Sequence, residues 1–439
     1  ERGRLISIPG NKPYLNLGSV TIRGFHVASD GTFFVVAREQ LYKIKSTGQL
    51  VGCGSLLTTT GRVSMADNGF ELMVVDGSYG YTYSFATSTL TRITAGGFYP
   101  ASVVRFMDGY FIVNRPGTKE FRLSALYDGQ TWNALDFASI EGTPDDLLTH
   151  EVLNKQVWFF KSRSIEIWYD SGAASFPFER ISGGLLEYGC ASPYCVAKVG
   201  PTVIWLDSGA SGNGVVWAAN GYVPQRISTH AVEQVIQKSR NIADAYAWSY
   251  QDGGHSFYCL TIPYSDTTWC YDLATGLWCE RQTLDSHNRR GAHRVAFHAF
   301  AYNKHFTGDV STGDIYEMDR GHCWDGTSPL LRLRAAPHLN SSNKRLFFSS
   351  LQVDMEVGVG IDGSGQGSDP RAMLRWSDDR GHTWSDIRTV GIGKIGEFDA
   401  RAIWRRLGSA RDRVFEVSIT DPVPVTLLGA DVAVTAGAN

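Results

Sequence analysis

The chain has 439 residues, and its 41 Lys plus Arg against 44 Asp plus Glu leave a formal charge of −3. That balance excludes a blanket electrostatic grip on nucleic acid, which needs an excess of cations to displace phosphate counterions. Charged residues make up only 19%, while Gly numbers 47 and aromatics reach 12%, which excludes disorder and favours a Gly-punctuated, aromatic-rich β protein. No run of about 18 uncharged apolar residues could span a bilayer, and no basic segment followed by an apolar one opens the chain. No membrane anchor is therefore expected. The chain starts at Glu1 rather than Met, which points to upstream residues that were processed off or lie outside this sequence.

Residues 1–20 read as an N-terminal arm. From there, segments that open on a turn residue and continue as an alternating apolar or aromatic strand recur at Asp30, Asn68, Asp108, Asn154, Gly200, Asp252 and Asn303, at intervals of 38, 40, 46, 46, 52 and 51 residues. A drifting period of this size marks stacked supersecondary units, most naturally propeller blades. One four-stranded sheet cannot cover both of its faces, whereas sheets packed radially cover each other and shorten their exposed edges. Asp-Gly pairs at 30–31, 76–77, 108–109, 128–129, 252–253 and 362–363 would supply the positive φ of tight hairpin turns. The fold class expected is all-β: an irregular β-propeller of six or seven blades over residues 21–325, with a plain stack of β-sandwiches as the alternative. One helix is expected, Thr229 to Arg240, capped by Thr229, with Glu233 early and Val232, Val235 and Ile236 on one face.

After His322 the texture changes. Residues 326–345 are rich in Pro, Ser and Asn and read as a connection. Strands are expected over Leu346 to Val359, Arg371 to Trp376 and Val414 to Val425, and the Gly/Ser stretch 361–370 reads as a flexible loop. Residues 326–439 would then form a C-terminal β-sheet or sandwich domain. Seven cysteines in no CxxC spacing read as buried hydrophobes of a reducing cytoplasm rather than a disulfide framework.

Ser377, Asp379, Gly381, Thr383 and Trp384 fit the Asp-box pattern S-x-D-x-G-x-T-W, in which the carboxylate accepts backbone N–H groups across a hairpin, the Gly takes φ above zero and the Trp plugs the hairpin base. Asp boxes recur in sialidases, yet the box is a fastener, and hydrolysis would need a pair of carboxylates with separated pKa values. Glu141, Asp145, Asp146, Glu166 and Asp170 are the candidates, and they read better as turn caps and solvated edges. Arg401, Arg405, Arg406, Arg411 and Arg413 form a dense group, but residues 371–439 hold 10 Lys/Arg and 9 Asp/Glu. Subunit-interface ion pairs explain the group at least as well as an anion site. Histidines 287, 293, 298, 305 and 322 lack metal-ligand spacing, and a strand at 295–301 would send His293 and His298 to opposite faces. No phosphate-cradling loop and no nucleophile elbow is present. No catalytic residue, cofactor or metal is expected.

Several long, ordered segments carry a family resemblance: YDGQTWNALDFASIEGTPDDL at 127–147, RSIEIWYDSGAASFPFERISGGLLEYGCASPYC at 163–195, PQRISTHAVE at 224–233, GGHSFYCLTIPYSDTTWCYDLATGLWCERQ at 253–282, LRWSDDRGHTWS at 374–385 and IWRRLGSARDRVFEVSITDPVPVTLLGADV at 403–432. GRLISIPG at 3–10 looks like the end of the same family's N-terminal region. Across most of its length the chain resembles the packaged-DNA stabilisation proteins of tailed bacteriophages, the tail accessory or nozzle subunits of short-tailed phages. The resemblance implies a non-enzymatic virion protein, assembled in the host cytoplasm, of which six copies form a ring, a homohexamer, below the portal and its adaptor. It implies that the ring continues the DNA channel, helps retain the genome until ejection, and anchors tail fibres or spikes and in some relatives a needle or plug. Double-stranded DNA would pass through the lumen without sequence-specific binding, which suits a near-neutral wall. A carbohydrate-active propeller, a sialidase-like hydrolase or a lectin, is the alternative.

Overall fold

The computed structural model describes residues 4–208, 214–309 and 311–437. The repeat segment expected to open at Gly200 therefore lies partly outside the described residues, at 209–213, as do the first three residues of the expected arm. The chain divides into two compact units, one of residues 13–282 with 291–317, the other of residues 1–12, 283–290 and 318–439.

The larger unit is built from seven sheets in chain order, antiparallel except where Gly10–Asn16 runs parallel to Trp324–Asp325 in the seventh. The first blade is Ile22–Val27, Phe33–Ala37, Gln40–Ile44 and Leu50–Ser55, and the second is Ser64–Asp67, Glu71–Val75, Gly80–Ser84 and Thr89–Arg92. Later blades begin at Val104–Met107, Leu147–Leu153, Ala197–Val199, Tyr246–Asp252 and Val295–Ala301. The first strands of successive blades adjoin one another, and that of the seventh adjoins that of the first, so the ring closes. All seven turn residues that mark the sequence repeat fall at the turn between the first and second strand of a blade.

The second strands are the most apolar, as in FFVVA, ELMVV and TVIWL. The reason is geometric: each is covered on both faces by neighbouring blades, so alternation gives way to a continuous apolar run. Phe34, Val36, Leu72 and Tyr83 thus form a core between the first two blades, and Phe160, Ile204, Trp205 and Tyr258 one that runs across the fourth to sixth.

Residues Gly10–Asn16 are not a free arm. They pair beside Asp314–Asp319 and complete the seventh blade, with Leu17 N–H donating to Gly313 O at 2.9 Å. A blade of three strands would leave an open edge, and the early strand covers it. The Asp-Gly expectation holds at Gly109, where φ is +94° after Asp108 at +48°. It fails at Gly129, which has no positive φ. There a Cβ would lie 2.9 Å from the Thr82 methyl and 3.1 Å from the Glu71 carboxylate, so that glycine serves close approach rather than turn handedness.

The helix runs His230–Lys238, with Thr229 Oγ1 accepting from Val232 N–H. Its buried residues are Val232, Glu233 and Ile236. Glu233 takes the place expected of Val235 because Arg226 and Ser228 hold its carboxylate, Arg226 Nε at 2.7 Å and Ser228 Oγ at 2.6 Å. Of the seven cysteines, six are buried and Cys279 is exposed, all as free thiols.

The smaller unit contains two facing sheets. One orders Leu5–Ile6, Thr426–Ala436, Leu346–Met355 and Ala402–Arg405; the other orders Arg332–Ala335, Asp412–Ile419, Arg371–Ser377 and Arg388–Gly391. Their inner faces enclose Phe348, Leu351, Leu374, Trp404 and Phe415. Residues 326–345, expected as connection, contribute the strand Arg332–Ala335. The strand expected to end at Val425 closes at Ile419, and an 11-residue strand, Thr426–Ala436, follows.

Candidate functional site

The Asp box occupies the connection between Arg371–Ser377 and Arg388–Gly391. Ser377 Oγ donates to Asp379 Oδ1 at 2.7 Å and accepts from Gly381 N–H at 2.7 Å. Thr383 donates its amide to Oδ1 at 2.8 Å and its hydroxyl to Oδ2 at 2.6 Å. The Thr383 hydroxyl and amide, with Ser377, favour the charged form and hold the Asp379 carboxyl well below its ordinary range. Gly381 has φ of +94°. Trp384 is half-buried, and the Arg375 guanidinium lies 4.4 Å from its ring centroid while donating to Glu416 at 2.5 Å.

One further residue joins the box to the sandwich. Asp378, an unspecified position of the motif, accepts from Arg413 Nε at 2.6 Å and Nη2 at 2.7 Å. Arg413 is 2% exposed, donates to Leu407 O at 2.5 Å, and lies over Phe348, Trp376 and Phe415. It is an internal fastener and cannot belong to an exposed arginine surface, as grouping by sequence proximity implied. The other four candidates, Arg401, Arg405, Arg406 and Arg411, are exposed. Arg411 donates to Asn343 O at 2.5 Å, and the carbonyls of Arg405 and Arg406 accept from Arg388.

A shallow cleft of about 560 Å³ beside the box includes Arg345, Asp379, Arg380, Arg411 and Asp412. Its charges are mutually satisfied to a large extent: Arg380 and His338 both bond Asp412, at 3.3 and 2.9 Å. Arg401 borders a separate cleft with Asp354 and Asp399. The arrangement offers mixed charge rather than a converging cationic pocket.

The carboxylates weighed for hydrolysis are engaged in loop geometry. Glu166 is 1% exposed, not a solvated edge, and accepts from Gly142 N–H at 2.8 Å. Asp145 accepts from Arg163 N–H at 2.7 Å, Ser162 at 3.1 Å and the Thr143 hydroxyl, and faces the fully buried Lys161 at 3.5 Å. Asp170 caps a turn through Gly172 N–H at 2.8 Å. Glu141 and Asp146 are exposed. His298 bonds His305 at 3.0 Å, and burial pushes the His298 imidazole down to about 3. Among the described residues no group of three or more His, Cys, Asp or Glu is placed to hold a metal ion, and no helix is long and apolar enough to cross a membrane.

Two family models match in succession. Residues 1–323 match the β-propeller of bacteriophage P22 Gp10, and residues 332–435 match its β-sandwich. The chain belongs to the bacteriophage P22 Gp10 family. It is accordingly a phage tail structural protein, a β-propeller followed by a β-sandwich. No curated protein matches. Among solved structures, an extracellular domain from B. thetaiotaomicron described as part of a hybrid two-component system is 9% identical at a TM-score of 0.47, with 85% of this chain and 44% of that one covered. A chain of the Mitotic Checkpoint Complex is 11% identical at the same TM-score of 0.47, covering 71% of this chain and 93% of that one. Likeness at that level carries nothing about activity.

Proposed function

We propose that the chain is a subunit of a ring-shaped tail nozzle below the portal and adaptor, a homohexamer that continues the DNA channel, helps retain packaged DNA and anchors tail fibres or spikes. The observation that carries this reading is the pair of family matches, in order, over the two parts of one chain. Its near-neutral charge of −3 supports a wall along which a polyanion slides and is released, since a cationic lumen would retain it. In this reading residues 21–325, with the strand Gly10–Asn16 completing the seventh blade, are the propeller and residues 326–439 the C-terminal domain, and the Asp box is a structural fastener rather than a catalytic element. Arg401, Arg405, Arg406 and Arg411 are the proposed ion-pairing surface towards a neighbouring subunit. Ring interfaces are heterologous, so such charges meet a different surface on the next copy.

Electron microscopy of portal–adaptor complexes mixed with the purified full chain tests the reading. Ring density capping the complex is expected. Unaltered complexes, together with glycan binding or hydrolysis by the isolated monomer, would replace it with the carbohydrate-active alternative. Charge reversal of Arg405 and Arg406 that left ring assembly intact would remove those two from the interface.

A further inference from the structure

The axis of the propeller is where the first strands of all seven blades converge, and Arg62 stands there just ahead of Ser64–Asp67. Its guanidinium carbon lies 4.4 Å from the ring centroid of Tyr246, 4.6 Å from that of Phe297 and 5.3 Å from that of Tyr194. These rings arrive from separate blades and form an aromatic cage about the cation. Yet Arg62 has no hydrogen-bond or ion-pair partner among the described residues.

Arg62 is half-buried. Arg23, fully buried beside it, donates to the carbonyls of Arg38, Thr58, Thr60 and Gly61 and to the Thr58 hydroxyl, at 2.6 to 2.8 Å. In doing so it fixes the loop 58–61 that leads into Arg62. Arg105, on the same cavity, is committed to Glu151 through bonds of 2.9 to 3.1 Å. Burial without a compensating anion depresses the Arg62 pKa to about 10, the tyrosines offsetting only part.

Aromatic faces stabilise a guanidinium above and below its plane but leave its in-plane N–H donors unused. An oxyanion takes two such parallel donors at once. The space beside Arg62 is about 310 Å³ and Thr149 adds a hydroxyl to its lining, while the hydroxyls of Ser64 and Ser249 donate to Val104 O and Lys198 O. This is the lower end of small-ligand pockets, with room for one small organic molecule.

We propose that this axial cavity is a binding site for a small oxyanion, a carboxylate or a phosphate, with Arg62 as its charged donor and Arg23 as the residue that positions it. The site is independent of the tail-nozzle reading, since it lies within one subunit. The test is calorimetric titration of the full-length protein with inorganic phosphate and, separately, with citrate, read in parallel through the tryptophan emission that differs between the parent and Trp248→Phe, Trp248 lining the cavity. Saturable binding with a Kd at or below about 1 mM is expected for at least one probe. Citrate alone would identify a carboxylate site and phosphate alone a phosphoryl site. Arg62→Gln should weaken binding at least about ten-fold, the scale of one charge-assisted hydrogen bond. Arg62→Lys, which keeps the charge and loses the fork, should fall between, and circular dichroism establishes that each variant is folded. The proposal is overturned if neither probe binds the folded parent protein saturably, or if both variants bind as the parent does.

Discussion

Replacing Arg413 by Met keeps an unbranched chain of similar volume over Phe348, Trp376 and Phe415, and removes only the guanidinium. The parent group makes two bonds to Asp378, at 2.6 and 2.7 Å, and one to Leu407 O at 2.5 Å. Breaking a buried ion pair from one side costs about 3–5 kcal/mol. Here the side chain of Asp378 is 43% exposed, so water can take over that carboxylate, and the lower end, about 3 kcal/mol, applies. Because each 1.4 kcal/mol is about a factor of ten, the amides of Asp412–Ile419 should lose roughly 100-fold in hydrogen-exchange protection. Asp378→Asn keeps one acceptor oxygen but leaves the 2% exposed Arg413 guanidinium without its countercharge, and should cost about 3 kcal/mol or more. Exchange mass spectrometry on the full chain reads both changes locally, without assuming that the two units unfold together. Protection in Arg413→Met within about three-fold of the parent would refute the assignment of Arg413 as the fastener of the Asp-box connection.

In the first two blades, Asp67 loses ionisation energy to burial but regains more from His26 and Ser29, which hold its carboxyl down to about 2 from 3.8. A depressed carboxylate stabilises the fold above its unfolded pKa and stops doing so as pH falls through its folded one. Acid titration of the full chain should therefore show stability falling between about pH 4 and pH 2, and Asp67→Asn should flatten that segment; an unchanged slope would assign acid sensitivity elsewhere. Trp205→Ala, at a fully buried position between blades, should cost about 3–5 kcal/mol in urea denaturation, with no loss above about 1 kcal/mol arguing that the site collapses freely. Gly129→Ala should cost about 1–3 kcal/mol because its methyl must enter space held by Thr82 and Glu71. A neutral or stabilising result in the melting curve would mean that those side chains yield.

Much of the propeller is legible in sequence because every blade repeats the same physical demand, a turn followed by a strand covered on both faces. Asp30, Asn68, Asp108, Asn154, Gly200, Asp252 and Asn303 therefore recur in phase with the structure. The strand Gly10–Asn16 escapes that reading since GNKPYLN has a Pro and no clean alternation, and its partner is 300 residues away. Thr426–Ala436 escapes for a related reason: most of its residues are exposed, so little apolar pattern marks it. The Asp-box bonds follow from residue type and spacing alone. Arg413 does not, because five arginines within 13 residues look alike until burial separates one from the rest, and the caged Arg62 is invisible without the convergence of three blades.

The seventh blade carries a kinetic implication. Its strands Val295–Ala301, Lys304–Asp309 and Asp314–Asp319 emerge last in the propeller, and the strand they need, Gly10–Asn16, emerges first. During synthesis at about 5–20 residues per second, the early strand must wait roughly 15 to 60 seconds, unpaired, before its place exists. The ring is thus clasped as a final, non-local step of high contact order, and until then its open ends present strand edges able to pair with another copy. The clasp thereby decides whether a chain closes on itself or on a second copy.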